Sequence, residues 1–299
     1  MRILFLTLFA LAACATAQAQ TQDQCPPAGY DHARLEALRA ADWAIPNARE
    51  RRRFAQQMVA CVASPDPFLR DQVAFESLSY LLRQRQLDVA THTALTTQVL
   101  TRLESADAQG FERPFAALVL SELVRAERLN PHYTDAMRAD VLDRSLAYFT
   151  SVRDYRGFDA QEGWRHGVAH GADLLMQIAA SESTTREDLT RIRDAVAGQI
   201  APDGHFYIYG EPERLARPIL IMARRGVFTA EEWSAWFTQI SAPAPLASWS
   251  EAFSSQAGLA KKHNTAAFVY VLWANASLSQ DVGVRALMPG AEAALRALP

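Results

Sequence analysis

Apolar residues recur along this chain at three- and four-residue intervals, and runs of strand-like alternation are nearly absent. Phe54, Met58, Cys61 and Val62 form one such stripe, opened by the capping-box pair Asn47 and Glu50. Asp66-Pro67 sets an N-cap and a first-turn proline ahead of Val73, Leu78, Leu81 and Leu82. The same reading predicts helices near 88–104, 112–128 and 134–150, the last opened by Thr134. Asp159 to Glu162 reads as a capping box that starts a helix through two histidines. Thr184 to Glu187 and Thr229 to Glu232 repeat the device for helices near 185–200 and 230–240. Further helices are expected at 248–258, 263–278 and 281–297, with Pro289 bending the last. The Pro- and Gly-bearing stretch 201–212 and the loop Ser241 to Pro245 read as connections.

Gly110-Phe111, Gly157-Phe158 and Gly204-His205 recur at an even spacing close to that of paired-helix repeats. The expected fold is therefore all-α, a curved stack of antiparallel helix pairs of the HEAT or armadillo kind. A closed α/α toroid is the alternative that the same pattern could build. The expected organisation is an export signal over 1–19 and one helical-repeat domain over 20–299.

The first residues bear on compartment. Met1-Arg2 is a minimal positive region, and Ile3 to Ala13 is apolar apart from Thr7. That run is too short to span a bilayer and is followed by small residues, as in a cleavable signal. Ala15-Thr16-Ala17 and Ala17-Gln18-Ala19 each offer a cleavage pattern, while Leu11-Ala12-Ala13-Cys14 is a lipobox alternative with Cys14 lipidated. The expected location is the periplasm or the exterior, soluble or held as a lipoprotein.

In an oxidising compartment the remaining Cys25 and Cys61 read most simply as one disulfide. Closing that loop stabilises the fold by roughly 3–4 kcal/mol on the chain-entropy account. The formal net charge is −3, and no basic block suggests nucleic acid as a partner. Lysine occurs only at Lys261 and Lys262, a compositional bias that carries no function by itself.

Polar chemistry is concentrated at 154–174. His166, His170 and Asp173 fall at i, i+4 and i+7, which on a helix places them on one face. They are the candidate metal ligands, with Glu211 or Glu213 able to complete a set. The spacing of the histidines is that of zinc peptidases, but Gly167 stands where their catalytic glutamate would be, which argues against that mechanism. As an acid–base set, Asp173 would orient His170, and Glu211 and Glu213 would supply carboxylates for hydrolysis. Trp164, Trp233, Trp236, Trp249, Tyr207 and Tyr209 offer rings for sugars or peptides. The bland alternative is a structural network in which His170 donates to Asp173 or a neighbouring repeat and Glu211 or Glu213 pairs with Arg214 or Arg165. Asn264 reads first as a helix cap and second as a ligand contact. No cofactor fingerprint is present among the motifs.

Gly163-Trp164 through Asp173-Leu174, Arg156-Gly157-Phe158, Gly210 to Ala216, and Lys262 to Thr265 with Phe268 together resemble a bacterial family known as domain of unknown function 2785. The likeness covers most of the chain after the signal, departing at Arg165 and Pro212. The resemblance implies a helical fold and a shared site, and no reaction. The function expected is thus a binding or scaffold module of the cell envelope with a protein or glycan ligand. The alternative is a hydrolase acting on an envelope polymer, glycan or peptide, with or without a metal. Trp164, His166, His170, Asp173, Tyr207, Glu211, Arg214 and Asn264 are the candidate binding residues.

Intact-mass measurement of the exported protein tests the N-terminal and cysteine readings together. The expected mass corresponds to loss of the first 17 or 19 residues, or to a diacylated Cys14, and Cys25 and Cys61 are expected to alkylate only after reduction.

Overall fold

A computed structural model describes residues 24–299. The expected export signal and Cys14 lie outside the described residues. Thirteen α-helices and one two-stranded ribbon are present among them, which establishes the all-α class. No helix among the described residues is long and apolar enough to cross a membrane. The chain clusters into two compact units: residues up to Ala126 with Asp159–Trp164, and Glu127–Phe158 with Arg165–Pro299.

The N-terminal unit opens with α1 (His32–Ala40), capped by Asp31 and not predicted from the sequence. Helix α2 (Ala48–Met58) starts as expected, with the Asn47 side chain accepting from the backbone of Arg49 and Glu50. It runs into a 3-10 turn, Val59–Ala63, whose Cys61 is bonded to Cys25 with the two Cα atoms 5.1 Å apart. Asp66 caps the next element by accepting from Phe68 N, but the first eight residues wind as a π-helix, Phe68–Phe75, before α3 (Glu76–Arg83). Helices α4 (Val89–Leu103) and α5 (Glu112–Leu129) follow within a residue or so of their expected bounds.

Arg70 organises this unit. Its guanidinium is fully buried and lies over the rings of Phe111 and Phe115, 4.2 and 4.9 Å from their centroids. It donates to the carbonyls of Ser64 (2.9 Å) and Glu162 (2.6 Å) and pairs with Asp71 (2.8 Å). Gly163 is required beside it: φ is +75°, and a Cβ would stand 2.9 Å from Arg70 Nη2. Burial of Asp71, the largest influence on it, outweighs the attraction of Arg70 and moves its carboxyl up to about 6.

The second unit contains α6 (Asp135–Ser151), α7 (Gly167–Ala179), α8 (Arg186–Gln199), α9 (Glu211–Arg224), α10 (Ala230–Ile240), α11 (Gln256–Leu278), α12 (Val282–Arg285) and α13 (Met288–Ala297). Helix α9 is at its centre and packs against α7, α8, α11 and α12. Trp233, Phe237, Phe268, Ile219 and Leu174 are fully buried in its core. Trp236 is also buried, so neither it nor Trp233 offers a platform for a ligand.

Several element assignments are corrected. Asp159 accepts from the backbone of Gln161 and Glu162, closing the turn between β1 (Phe158–Asp159) and β2 (Gly163–Trp164). Asp side chains make such turns as readily as helix caps, and the left-handed Gly163 then stops any helix. The α8 box is formed by Thr185 and Asp188, one residue later than expected, because the Thr184 hydroxyl is spent on the Ile178 carbonyl. Helices expected at 248–258 and 263–278 are a 3-10 turn, Trp249–Ser254, followed by one continuous α11 capped by Ser255. Asn264 therefore sits inside a helix and caps nothing. Pro289 begins α13 and does not bend a longer helix.

Replacing Arg70 with methionine keeps much of the volume but strands two buried carbonyls and Asp71. The expected cost is about 3–5 kcal/mol, read as a lower urea midpoint at pH 7.

Candidate functional site

The polar cluster is assembled where α7 and α9 begin. His166 lies just ahead of α7 in a left-handed conformation (φ 56°, ψ 39°), so it is not on the helical face that the i, i+4, i+7 spacing implied. Its backbone N–H donates to the Arg156 carbonyl, and that of Arg165 donates to Gly157, at 3.1 and 3.0 Å. This pairing pins the loop 154–158 against the start of α7. The imidazole of His166 still meets that of His170, one turn into α7, with ring centroids 5.7 Å apart.

Helix α9 lay hidden in the sequence because Pro218 interrupts its stripe of Leu215, Ile219 and Met222. Its start is nevertheless encoded: Gly210 takes φ 84°, and Glu211 and Pro212 fill the first turn. Glu211 is almost wholly buried and accepts from the Tyr209 N–H at 2.9 Å. Its Oε1 stands 3.9 Å from His166 Nε2. Two turns further along α7, and one to two turns along α9, Asp173 accepts from Arg214 (2.7 Å) and Arg217 (2.9 Å).

These two contacts, 166 with 211 and 173 with 214 and 217, advance in the same sense, so α7 and α9 run parallel. Their N-termini, each carrying roughly half a positive charge, lie together. A carboxylate at that point is favoured by the field and by backbone N–H groups. Burial is the largest influence on Glu211 and moves its pKa up, opposed by hydrogen bonds from its own N–H and that of Tyr209. Burial also dominates at His166, and with the Arg214 charge it moves the imidazole down to about 4, against a hydrogen bond with the Tyr209 backbone. His166 is therefore a neutral imidazole at neutral pH.

The loop ahead of α9 is fixed from below. Asn264, buried in α11, accepts from Tyr207 N–H (2.9 Å) and donates to the His205 carbonyl (2.8 Å). The Tyr207 hydroxyl donates to Gln199 O, which makes this ring a buried strut and not an open platform. Tyr155 stacks on His205 with centroids 5.1 Å apart. Gly157 lies flat under the ring of Tyr209, where a Cβ would come within 2.0 Å of Cδ2.

The structure thus brings together His166, His170, Asp173, Tyr207, Glu211, Arg214 and Asn264 from the expected set. Glu213 is exposed on the first turn of α9. Trp164, half-buried in β2, clusters with the N-terminal unit. Arg214 serves Asp173, not the glutamates that the sequence reading paired it with. Among the described residues, no three His, Cys, Asp or Glu side chains form a group that could hold a metal ion. Arg217, Tyr155 and His205 were missed. Arg217 carried a signal, since it lies one helical turn from Arg214.

A family of proteins of unknown function, DUF2785, matches residues 78–274. The chain belongs to this family. The match spans about two thirds of the sequence and contains every residue of the α7–α9 cluster. No curated protein and no solved structure shows significant similarity to the chain. Membership of DUF2785 brings no reaction with it, so the chemistry rests on the geometry.

His166 gives a pH test. Unfolded, it titrates near its usual 6.5, and folded near 4, so the unfolded chain takes the proton first. Stability is thus expected to fall as pH drops from about 6.5 and to level off below about 4, by at most about 3 kcal/mol and less with solvent screening. Glu211, shifted upward, acts in the opposite sense and is present in both proteins compared. His166→Asn keeps a residue that tolerates the left-handed backbone, and its urea midpoint is expected to decline less than that of the parent over this window.

Proposed function

We propose that the protein is an exported binding module of the bacterial cell envelope, acting through the loops that precede α7 and α9. One observation carries this reading. These loops are tied to each other and to the helices by backbone pairing, by Tyr209 over Gly157 and by Asn264, yet they expose Phe158 (49 %) and Ile208 (70 %) to solvent. Covering one such side chain in a complex removes apolar surface worth roughly 1–2 kcal/mol, and a rigid loop loses little entropy on binding. Tyr155, Arg156 and Asp154 provide aromatic and charged groups on the same loop. A protein or glycan strand of the envelope suits that mixture.

The state of the acids supports recognition over hydrolysis. Asp173 is engaged by two guanidiniums, and Glu211 is buried behind Tyr209. A general acid or base needs hydrogen-bond reach to a substrate atom, and these carboxylates are occupied in holding the helices. An N-terminal signal or a lipidated Cys14 would deliver such a module to the periplasm or to a membrane surface.

Cosedimentation with purified cell-wall sacculi tests this. The mature protein is expected to pellet with them, and the Phe158→Ser, Ile208→Ser double variant to remain in the supernatant with its thermal midpoint unchanged. Release of new reducing ends or amines, abolished in a folded His170→Ala protein, would replace this reading with the hydrolase.

A further inference from the structure

The N-terminal unit contains an open groove of about 810 Å³, within the ~300–1,000 Å³ span of small-molecule sites. Phe75 and Tyr80, both half-buried, contribute aromatic rings to it, and Trp43 lines it as a buried side chain. Asp42 and Trp43, on its rim, take φ of 49° and 55° where they close the C-terminus of α1, the Trp43 N–H donating to Leu38 O and that of Asp42 to Arg39 O.

The charges of the groove say what it would take. Arg39 gives Nε and Nη2 to Glu76 at 2.7 and 3.2 Å and Nη1 to Gln72 at 2.9 Å. Arg83 gives Nε and Nη2 to Glu122 at 2.8 and 2.5 Å. Both cations are thus neutralised by fork-to-fork pairing, and an anionic ligand would meet no unbalanced positive charge. Glu36 and Asp42 are exposed on the rim, where solvent and salt screen their attraction for a cation. The groups left for a ligand are neutral or half-used: the Tyr80 hydroxyl, the Gln84 amide and Nη1 of Arg83. Ser79 also lines the groove, but its hydroxyl is buried from solvent and is not among them.

We propose that this groove is a ligand site of its own, taking a neutral oligosaccharide. The C–H faces of pyranose rings pack on the aromatic wall, and the ring hydroxyls exchange hydrogen bonds with the mixed donors and acceptors around it. Its lining residues divide at the start of the stretch matched by the family, with Tyr80, Arg83 and Gln84 inside it, and none of them belongs to the α7–α9 loops.

Saturation-transfer NMR on the mature protein tests it, with maltotriose, cellotriose and the N-acetylglucosamine trimer as probes. Trilysine and triphosphate serve as charged controls. At least one of the sugars is expected to show transfer, with affinity reduced about tenfold in Tyr80→Ala and several-fold in Gln84→Ala. The Phe158→Ser, Ile208→Ser variant is expected to bind that sugar unchanged, which separates this site from the loops. Gln84 is exposed, so its replacement reports on binding even where Tyr80→Ala fails to fold. The proposal is overturned if no sugar shows transfer, if only a charged control does, or if Gln84→Ala leaves the affinity unaltered.

Discussion

Asp173 on α7 holds one guanidinium from Arg214 and another from Arg217, and this clamp sets the register of two parallel helices. Parallel neighbours bring like ends of their dipoles together, an arrangement that needs compensation. Glu211 provides it at the joined N-termini, and the clamp adds its ion pairs two turns into α7. Breaking such a triad from one side leaves uncompensated charge in a buried place, which is far costlier than never having had it. The position of everything ahead of the two helices follows from this contact. His166 meets Glu211, and the loops 154–158 and 205–210 are presented side by side.

The same arrangement engages the polar groups of the cluster with one another. Each acid in the cluster has its lone pairs directed at protein donors. The neutral His166 costs less to bury than a cation would. What faces solvent is the layer above, where Phe158 and Ile208 are held out by a backbone that cannot fold them away. Rigid exposure of apolar groups on a polar foundation is the physical basis of the proposed binding role.

The two units differ in how they use arginine. In the N-terminal unit Arg70 is sealed between aromatic rings and backbone carbonyls, so it ties the ribbon 159–164 to that unit. Arg39 and Arg83 instead form paired walls beside an open groove. A planar fork of five donors serves both purposes, and the abundance of arginine in this chain is put to structural use throughout.

Helix content, most helix starts, the Cys25–Cys61 bond and the family were all legible from residue types and spacing. Thr134, Thr229 and Asn47 act as caps because a short oxygen-bearing side chain satisfies the nearest free N–H whatever surrounds it. The approach of Glu211 to His166 was also readable as an expectation. What the sequence could not show was the direction of the contacts: that Arg214 and Arg217 would serve Asp173, that Asp159 would close a turn, and that Asn264 would brace a loop from mid-helix. Local rules act over a few residues, where the covalent chain fixes geometry. The partner of a buried charge is chosen by which helices pack and in what register, and only the folded molecule decides that.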